Sequence, residues 1–227
     1  MTFDFFLWPM ILPIVLPLLY SLKFKRDSLT EILTILCIMI IIIVTYWPLS
    51  LALPSAGNIV VKFLLFVLIP LALLFTIRKE KTSFLSRFGI QRKGIEKSLQ
   101  WGLFLLPIML LVTFVIGYFI VTPSQGDLYT GGILFIEAFT EEFFFRGILF
   151  LVLVSRTNSK IAYLTSLASF VLMHPQHFTS LFIIGTIVQG ILTLEITRRS
   201  ENLFGAWILH GSNRFFSIVV LPILMNF

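Results

Sequence analysis

The sequence has little charge and a single cysteine. Only 12% of its 227 residues are charged, whereas 58% are hydrophobic. A soluble domain carries about 25% charged residues, so the composition excludes an ordinary soluble protein and indicates a core formed between helices in lipid. Cys37, the single cysteine, excludes an internal disulfide. The first residues lack the basic region of a cleaved signal peptide, and we interpret them as the start of a membrane span.

Eight apolar segments are candidates for membrane spans, because a transmembrane helix needs about 20 apolar residues. They cover residues 3–22, 30–53, 58–77, 99–121, 131–153, 161–177, 181–196 and 203–225. A break is predicted at His174, since the residue before a proline is disfavoured in helical geometry. The sequence thus predicts an all-α, polytopic membrane protein of about eight transmembrane helices. Residues 1–98 are expected to hold helices 1–3 and a basic loop, and residues 99–227 the catalytic helices 4–8.

Basic residues are confined almost entirely to the odd-numbered loops between these segments. By the positive-inside rule those loops are cytoplasmic, which places both termini outside. The net charge of +6 therefore reports topology, and the expected partner is a lipid bilayer and not a nucleic acid. Short loops favour a prokaryotic plasma membrane.

Polar residues within the membrane are concentrated in spans five to eight. An ionised side chain near the bilayer centre costs roughly 2.5–3.5 kcal/mol, and such residues usually mark function. We therefore interpret this half as the catalytic or binding half. It holds Glu137, Glu141, Glu142, Arg146, His174, His177, Glu195, His210, Asn213 and Arg214.

The fifth span carries four of these groups at helical spacing. Glu142 and Arg146 are four residues apart, so they share a face and can form an ion pair. Glu141 is rotated by about 100° from Glu142 and can point into a cavity. Glu137 and Glu141 also share a face, and two neighbouring carboxylates resist double ionisation. A purely structural network of salt bridges is the alternative.

Glu141, His174 and His210 fall at a similar depth, near mid-membrane, on their respective helices. A carboxylate and two imidazoles can activate a water and stabilise an oxyanion. They can also hold a metal such as zinc, or each histidine can simply hydrogen-bond to a neighbouring helix. Arg214 lies deep and requires an acidic partner, for which Glu137 and Glu195 are the candidates.

Three motifs follow one another along the chain: Glu141-Glu142-x-x-x-Arg146, Phe170-x-x-x-His174, and His210 with Asn213. In this order, on so apolar a chain, they resemble the CPBP or Abi family of intramembrane proteases. That family includes the Ras-converting CAAX prenyl endopeptidases and bacteriocin-processing or immunity proteins. The resemblance covers about residues 85–220, and Phe88-Gly89 and Glu201-Asn202-Leu203 also resemble it.

The resemblance implies eight transmembrane helices around a conical cavity, and hydrolysis of a peptide bond without a covalent intermediate. It implies that Glu141 is the general base, acting on a water together with His174. It assigns the oxyanion site to His210 and Asn213, with Glu142 and Arg146 in supporting roles.

The third motif departs from the family pattern, which usually places asparagine four residues after the histidine. Here that position is Arg214, and the asparagine is Asn213. Both spacings stay on the histidine face of a helix, so Asn213 can still serve. Arg214 can instead stabilise the oxyanion or bind a substrate carboxylate.

We therefore predict an intramembrane endopeptidase that acts on a membrane-associated peptide or protein, near its membrane-embedded or lipidated end. No cofactor is required, because the sequence offers no HExxH spacing; zinc held by Glu141, His174 and His210 is the alternative. Two other functions stay open. One is a non-catalytic bacteriocin-immunity or peptide-binding protein. The other is an ion-coupled transporter, against which the asymmetry between the two halves argues, since spans one to four contain few ionisable groups.

Overall fold

A computed structural model describes residues 7–52, 57–77, 84–120 and 127–225, and its regular structure in these ranges is entirely helical. The α-helices are α1 (Val15–Phe24), α2 (Leu29–Ala52), α3 (Gly57–Phe63), α4 (Ile69–Thr76), α5 (Ile95–Ile120), α6 (Leu128–Glu142), α7 (Leu153–Arg156), α8 (Ser159–Leu172), α9 (Phe182–Ser200), α10 (Phe204–Phe215) and α11 (Leu221–Met225). The π-helical stretches Leu64–Leu68, Phe143–Val152 and Phe216–Val220 join α3 to α4, α6 to α7 and α10 to α11. Short 3-10 turns cover Trp8–Ile14, Arg26–Ser28, Phe84–Phe88 and Pro175–His177.

Four helical segments of the described chain are long and apolar enough to cross a membrane. They are Arg26–Ser50, Asn58–Thr76, Ile95–Phe119 and Phe204–Met225, which coincide with the second, third, fourth and eighth predicted spans. Trp8–Phe24 and Ser159–Leu172 are shorter apolar helices at the first and sixth. The all-α, integral membrane character of the protein is thereby confirmed.

The fifth and seventh predicted spans are helical as well, but they carry more charge. The fifth corresponds to α6, its π-helical continuation and α7, and the seventh corresponds to α9. Their composition alone does not identify them as spans, because composition does not distinguish a charge that faces lipid from a charge that is paired inside the bundle. Of the predicted spans, only residues 3–6, 53 and 121 lie outside the described residues. The division of the chain into two parts at residue 98 stays a prediction.

The central helix of the bundle is the one that begins with α6. Residues 140–150 are buried without interruption, and Phe143, Phe144 and Phe145 are fully inaccessible to solvent. A helix that is apolar on every side belongs in the middle of a fold. The acidic residues of α6 are therefore carried into the interior, and the neighbouring helices must supply their partners.

The predicted helix break at His174 is present. Helix α8 ends at Leu172, and His174 has φ −113° and ψ 58°, outside helical geometry. Pro175, which follows it, explains this conformation, because its ring clashes with a helical residue before it. The imidazole thus projects from a chain reversal between α8 and α9 and not from the side of a helix.

Helices α5 and α10 pack backbone against backbone. The Gly205 amide donates to Ser98 Oγ at 2.8 Å, and a Cβ built on Gly205 would lie 1.8 Å from the Ser98 carbonyl oxygen. Small residues at such a contact are the usual means of close helix association in lipid. Because α10 carries His210, Asn213 and Arg214, this contact sets the depth of half the candidate site.

The segments Phe88-Gly89 and Glu201-Asn202-Leu203 contact each other at one end of the bundle. The Leu203 amide donates to the Gly89 carbonyl at 3.1 Å, and Asn202 Nδ2 donates to the Gln91 carbonyl at 2.7 Å. Gly89 has φ +76°, a left-handed conformation that favours glycine. The two hydrogen bonds join the start of α10 to the segment that precedes α5.

The contact between α5 and α10 generates a stability prediction with a matched control. We expect Gly205→Ala to destabilise the fold by about 1–3 kcal/mol, because overpacking against rigid backbone forces the helices apart. Gly132→Ala is the control, since nothing lies within 4 Å of a Cβ built there. Thermal unfolding in detergent measures both. Equal melting temperatures for the two variants would contradict the close contact.

Candidate active site

Four segments contribute ionisable side chains to one buried cluster. Helix α6 contributes Glu137, Glu141 and Glu142, and the chain reversal after α8 contributes His174. Helix α10 contributes His210 and Arg214, and α3 contributes Lys62. Glu141 and Glu142 are 1% and 0% exposed, and His210 is 2% exposed. These charges are therefore removed from both water and lipid.

The two carboxylate oxygens of Glu141 have different surroundings. Oε1 accepts a hydrogen bond from Lys62 Nζ at 2.8 Å and lies 3.3 Å from Arg214 Nη1. Oε2 lies 3.9 Å from His174 Nε2 and 3.9 Å from His210 Nε2, and it is buried without a hydrogen-bond partner. A polar separation beyond 3.5 Å suits a bridging water. One oxygen is held by cations, and the other faces a space bounded by two imidazoles.

Hydrogen bonding fixes the tautomer of His174. Its Nδ1 lies 2.9 Å from the Phe170 carbonyl oxygen, which can only accept, so Nδ1 carries the proton. In the neutral ring, Nε2 is then an acceptor directed at the same space as Glu141 Oε2. The ring also stacks on His177 with centroids 5.2 Å apart, and His177 Nδ1 is 2.6 Å from Thr186 Oγ1. Glu141 and His174 can therefore both accept hydrogen bonds from one water.

His210 is held by a buried chain of polar contacts. Its Nδ1 is 2.7 Å from Glu142 Oε1, and Glu142 Oε2 is 3.1 Å from Arg146 Nε. Arg146 Nε donates to Thr193 Oγ1 at 2.9 Å, and the guanidinium lies 4.2 Å from the centre of the Phe170 ring. A carboxylate at Nδ1 orients an imidazole and stabilises its protonated form. The first and second motifs thus meet through Arg146 and Phe170.

Asn213 is fixed from two sides. Thr113 Oγ1 donates to its Oδ1 at 2.6 Å, and its Nδ2 donates to Gln189 Oε1 at 2.8 Å. With Gln189 accepting through Oε1, Nδ2 is the donating end of the Asn213 amide, and one of its N–H groups is left for another acceptor.

The sequence predicts that Glu137 and Glu141, as neighbouring carboxylates, resist double ionisation. The structure places cations beside both of them. Lys62 forms ion pairs with both, and Arg214 Nη1 lies 3.6 Å from Glu137 and 3.3 Å from Glu141. Two cations thus accompany two carboxylates. Arg214 therefore pairs with Glu137 and Glu141.

Glu195, the other acidic candidate for Arg214, pairs instead with the neighbouring arginines of its own helix. Its Oε2 is 2.7 Å from Arg198 and 3.3 Å from Arg199.

Sequence reasoning missed Lys62 as part of the site. It belongs to none of the three motifs and lies just inside the third span, where a basic residue is common. The available signal was its position, because the other basic residues between spans one and four lie in odd-numbered loops. Gln189, Thr113 and Thr193 were missed as well, because uncharged polar residues are ordinary in membrane helices.

Two cavities meet at the cluster. A cavity of about 260 Å³ is bordered by His210, Asn213 and the apolar side chains Met109, Ile116 and Phe182. A second, of about 170 Å³, is bordered by Glu141, Lys62 and Tyr46. His174, Gln176 and Arg214 border both. The glutamate and its lysine thus face one cavity, and the histidine and asparagine of α10 face the other.

Two observations bear on zinc binding by these side chains. Within the described ranges, no group of three or more histidine, cysteine, aspartate or glutamate side chains has the spacing to hold a metal ion. Glu141 also already lies beside two cations, whose charge opposes the binding of a third.

Fold and geometry define a helical integral membrane protein in which a buried glutamate faces two histidines. Residues 108–216 match the family model described as type II CAAX prenyl endopeptidase Rce1-like. This segment is a little under half of the chain. The match confirms the resemblance that the three motifs indicate. No curated protein and no solved structure matches the chain.

The chain of contacts behind His210 generates a second prediction. We expect Arg146→Met to destabilise the protein by about 3–5 kcal/mol, because it leaves the buried carboxylate of Glu142 without the guanidinium that pairs with it. Arg198→Met is the matched control, since Arg198 also pairs with a glutamate of its own helix but is 44% exposed. An exposed pair contributes about 0–1 kcal/mol. Chemical unfolding in detergent tests this, and equal losses would contradict it.

Proposed function

We propose that the protein is an intramembrane endopeptidase that hydrolyses a peptide bond with a water activated by Glu141. The observation that carries the proposal is the buried, unpartnered Oε2 of Glu141, 3.9 Å from Nε2 of both His174 and His210. A buried carboxylate oxygen without a partner is costly unless a ligand or water completes it. The match of residues 108–216 to a CAAX protease family model supports peptide hydrolysis.

The proposed reaction begins with a water that donates to Glu141 Oε2 and His174 Nε2. Its oxygen attacks the scissile carbonyl carbon, and its proton passes to Glu141. The negative charge that develops on the carbonyl oxygen is stabilised by the Nε2 proton of a protonated His210 and by the remaining amide N–H of Asn213. The carbon–nitrogen bond then breaks, and Glu141 returns the proton to the leaving amine. Glu142 and Arg146 keep His210 oriented.

The substrate is proposed to be a membrane-associated peptide or protein, cleaved near its embedded or lipidated end. The larger cavity supports this, because it combines the polar side chains of α10 with apolar Met109, Ile116 and Phe182. Such a mixture suits a peptide bond that enters with an apolar group attached. In this proposal no metal takes part in the reaction. The lipid bilayer surrounds the protein and is its other partner.

Topology is part of the proposal. Eight spans, cytoplasmic odd-numbered loops and both termini outside follow from the distribution of basic residues, and a prokaryotic plasma membrane is the proposed location. Helices Leu128–Arg156 and α9 are taken as the fifth and seventh spans because their charges pair inside the bundle or at its edge.

Cysteine labelling tests the topology with two matched positions. Asp127 and Asn158 are exposed residues that cap the starts of α6 and α8. In a background lacking Cys37, we expect Asp127→Cys to react with a membrane-impermeant thiol reagent on intact cells. Asn158→Cys should react only after the membrane is opened. Labelling of both positions on intact cells would contradict the proposed topology.

Glu141→Gln tests the chemistry. We expect cleavage to fall by about 10²–10⁴-fold, because the amide cannot take the proton of the water, while the melting temperature shows that the fold is retained. The assay uses a panel of lipidated and transmembrane peptides in liposomes, with and without a zinc chelator. Glu195→Gln is the control, since Glu195 pairs with exposed Arg198 and Arg199.

The remaining outcomes of that assay contradict the proposal in different ways. Loss of cleavage with chelator and its return with zinc would make Glu141, His174 and His210 metal ligands. An inactive wild type, with cellular function indifferent to Glu141→Gln, would favour a non-catalytic peptide-binding or immunity role. The position of Arg214 against Glu141 favours that second function, because an additional cation weakens a carboxylate as a base.

A further inference from the structure

Lys62 is the one charged member of the buried cluster that lies outside residues 108–216, the segment that carries the family match. It is contributed by α3, whereas the glutamates it contacts are on α6. Its side chain is only 12% exposed, and Lys62 borders the cavity that Glu141 also borders. The three family motifs do not account for this residue.

The contact between Lys62 and Glu141 is selective for one oxygen. Nζ donates to Oε1 at 2.8 Å, and Arg214 Nη1 lies 3.3 Å from the same atom. A carboxylate group is rigid, so a donor that fixes Oε1 also fixes the direction of Oε2. That direction is toward His174 Nε2 and His210 Nε2, both at 3.9 Å.

We infer that Lys62 is a positioning residue, which directs Oε2 of Glu141 at the attacking water by holding Oε1. The inference rests on the proposed function. The competing explanation is that Lys62 only balances charge, since Glu137 and Glu141 require cations inside the bundle. These two explanations differ in what a charge-balanced variant without Lys62 would do.

Arg214 does not make Lys62 redundant. Lys62 is the nearer of the two cations to Oε1, and it forms the shorter of the two hydrogen bonds to that atom. Arg214 also borders both cavities and has 25% of its side chain exposed, so it is free to respond to a bound substrate. The side chain of Lys62 extends from α3 to α6 and forms ion pairs with both Glu137 and Glu141. These two contacts hold it in place.

The experiment compares four variants in liposomes on a lipidated peptide that the wild type cleaves. Lys62→Met removes the charge and the donor, and Lys62→Arg keeps both. Lys62→Met combined with Glu137→Gln removes one charge of each sign, so the cluster stays neutral without the donor on Glu141. Lys160→Met, in an exposed position at the start of α8, is the control.

We expect Lys62→Met to lower kcat by roughly 10- to 100-fold, the scale on which small misplacements of a catalytic group act. KM should change little, because a residue that only positions the catalytic group acts on the chemical step and not on substrate binding. Lys62→Arg should recover part of the rate. The double variant should melt close to the wild type yet remain slow, and Lys160→Met should match the wild type.

Recovery of the wild-type rate in the double variant would overturn the inference, since charge balance alone would then explain Lys62. An effect of Lys62→Met confined to KM or to melting temperature would also overturn it. Failure of the proposed function gives a different pattern, in which neither the wild type nor any variant cleaves a peptide of the panel. An active wild type with inactive Glu141→Gln and fully active Lys62→Met would refute only the role of Lys62.

Discussion

The structure depends on the pairing of charges that cannot remain alone in lipid. Glu137, Glu141, Glu142 and Arg146 lie on or just after α6, and burial of an ionised group without a partner costs several kcal/mol. Two neighbouring helices supply partners for them. Helix α3 brings Lys62 and α10 brings His210 and Arg214. The pairing of these charges therefore holds α3 and α10 against α6.

The same pairing leaves Glu141 Oε2 without a hydrogen bond from any of these partners. Glu142 Oε2 also accepts no hydrogen bond, but Arg146 Nε lies 3.1 Å from it, whereas the two imidazoles beside Glu141 Oε2 are both at 3.9 Å. A buried polar atom is ordinarily hydrogen-bonded. In the proposed function, a water bound at Glu141 Oε2 and His174 completes this atom, and the same contacts orient the water for attack.

The sequence predicted the helical fold well and the catalytic geometry only in part. Long apolar runs are local signals, and they predict helices where the structure has them. The proline after His174 is also a local signal, and it predicts the helix break that the structure has there. The pairing of Glu142 with Arg146 follows from spacing on one helix. The contact of Lys62 with Glu141 joins residues 79 positions apart, and no local pattern encodes it. The amide contacts of Asn213 with Thr113 and Gln189 are likewise long-range.

The central claim is that Glu141 Oε2 and His174 Nε2 bind the attacking water. The most direct test is an X-ray structure that resolves ordered solvent, with anomalous data collected at the zinc edge. The account predicts one water, about 2.6–3.0 Å from Glu141 Oε2 and from His174 Nε2, and no anomalous peak. A metal at about 2.0–2.2 Å from these atoms, or an Oε2 turned onto a protein donor, would contradict it.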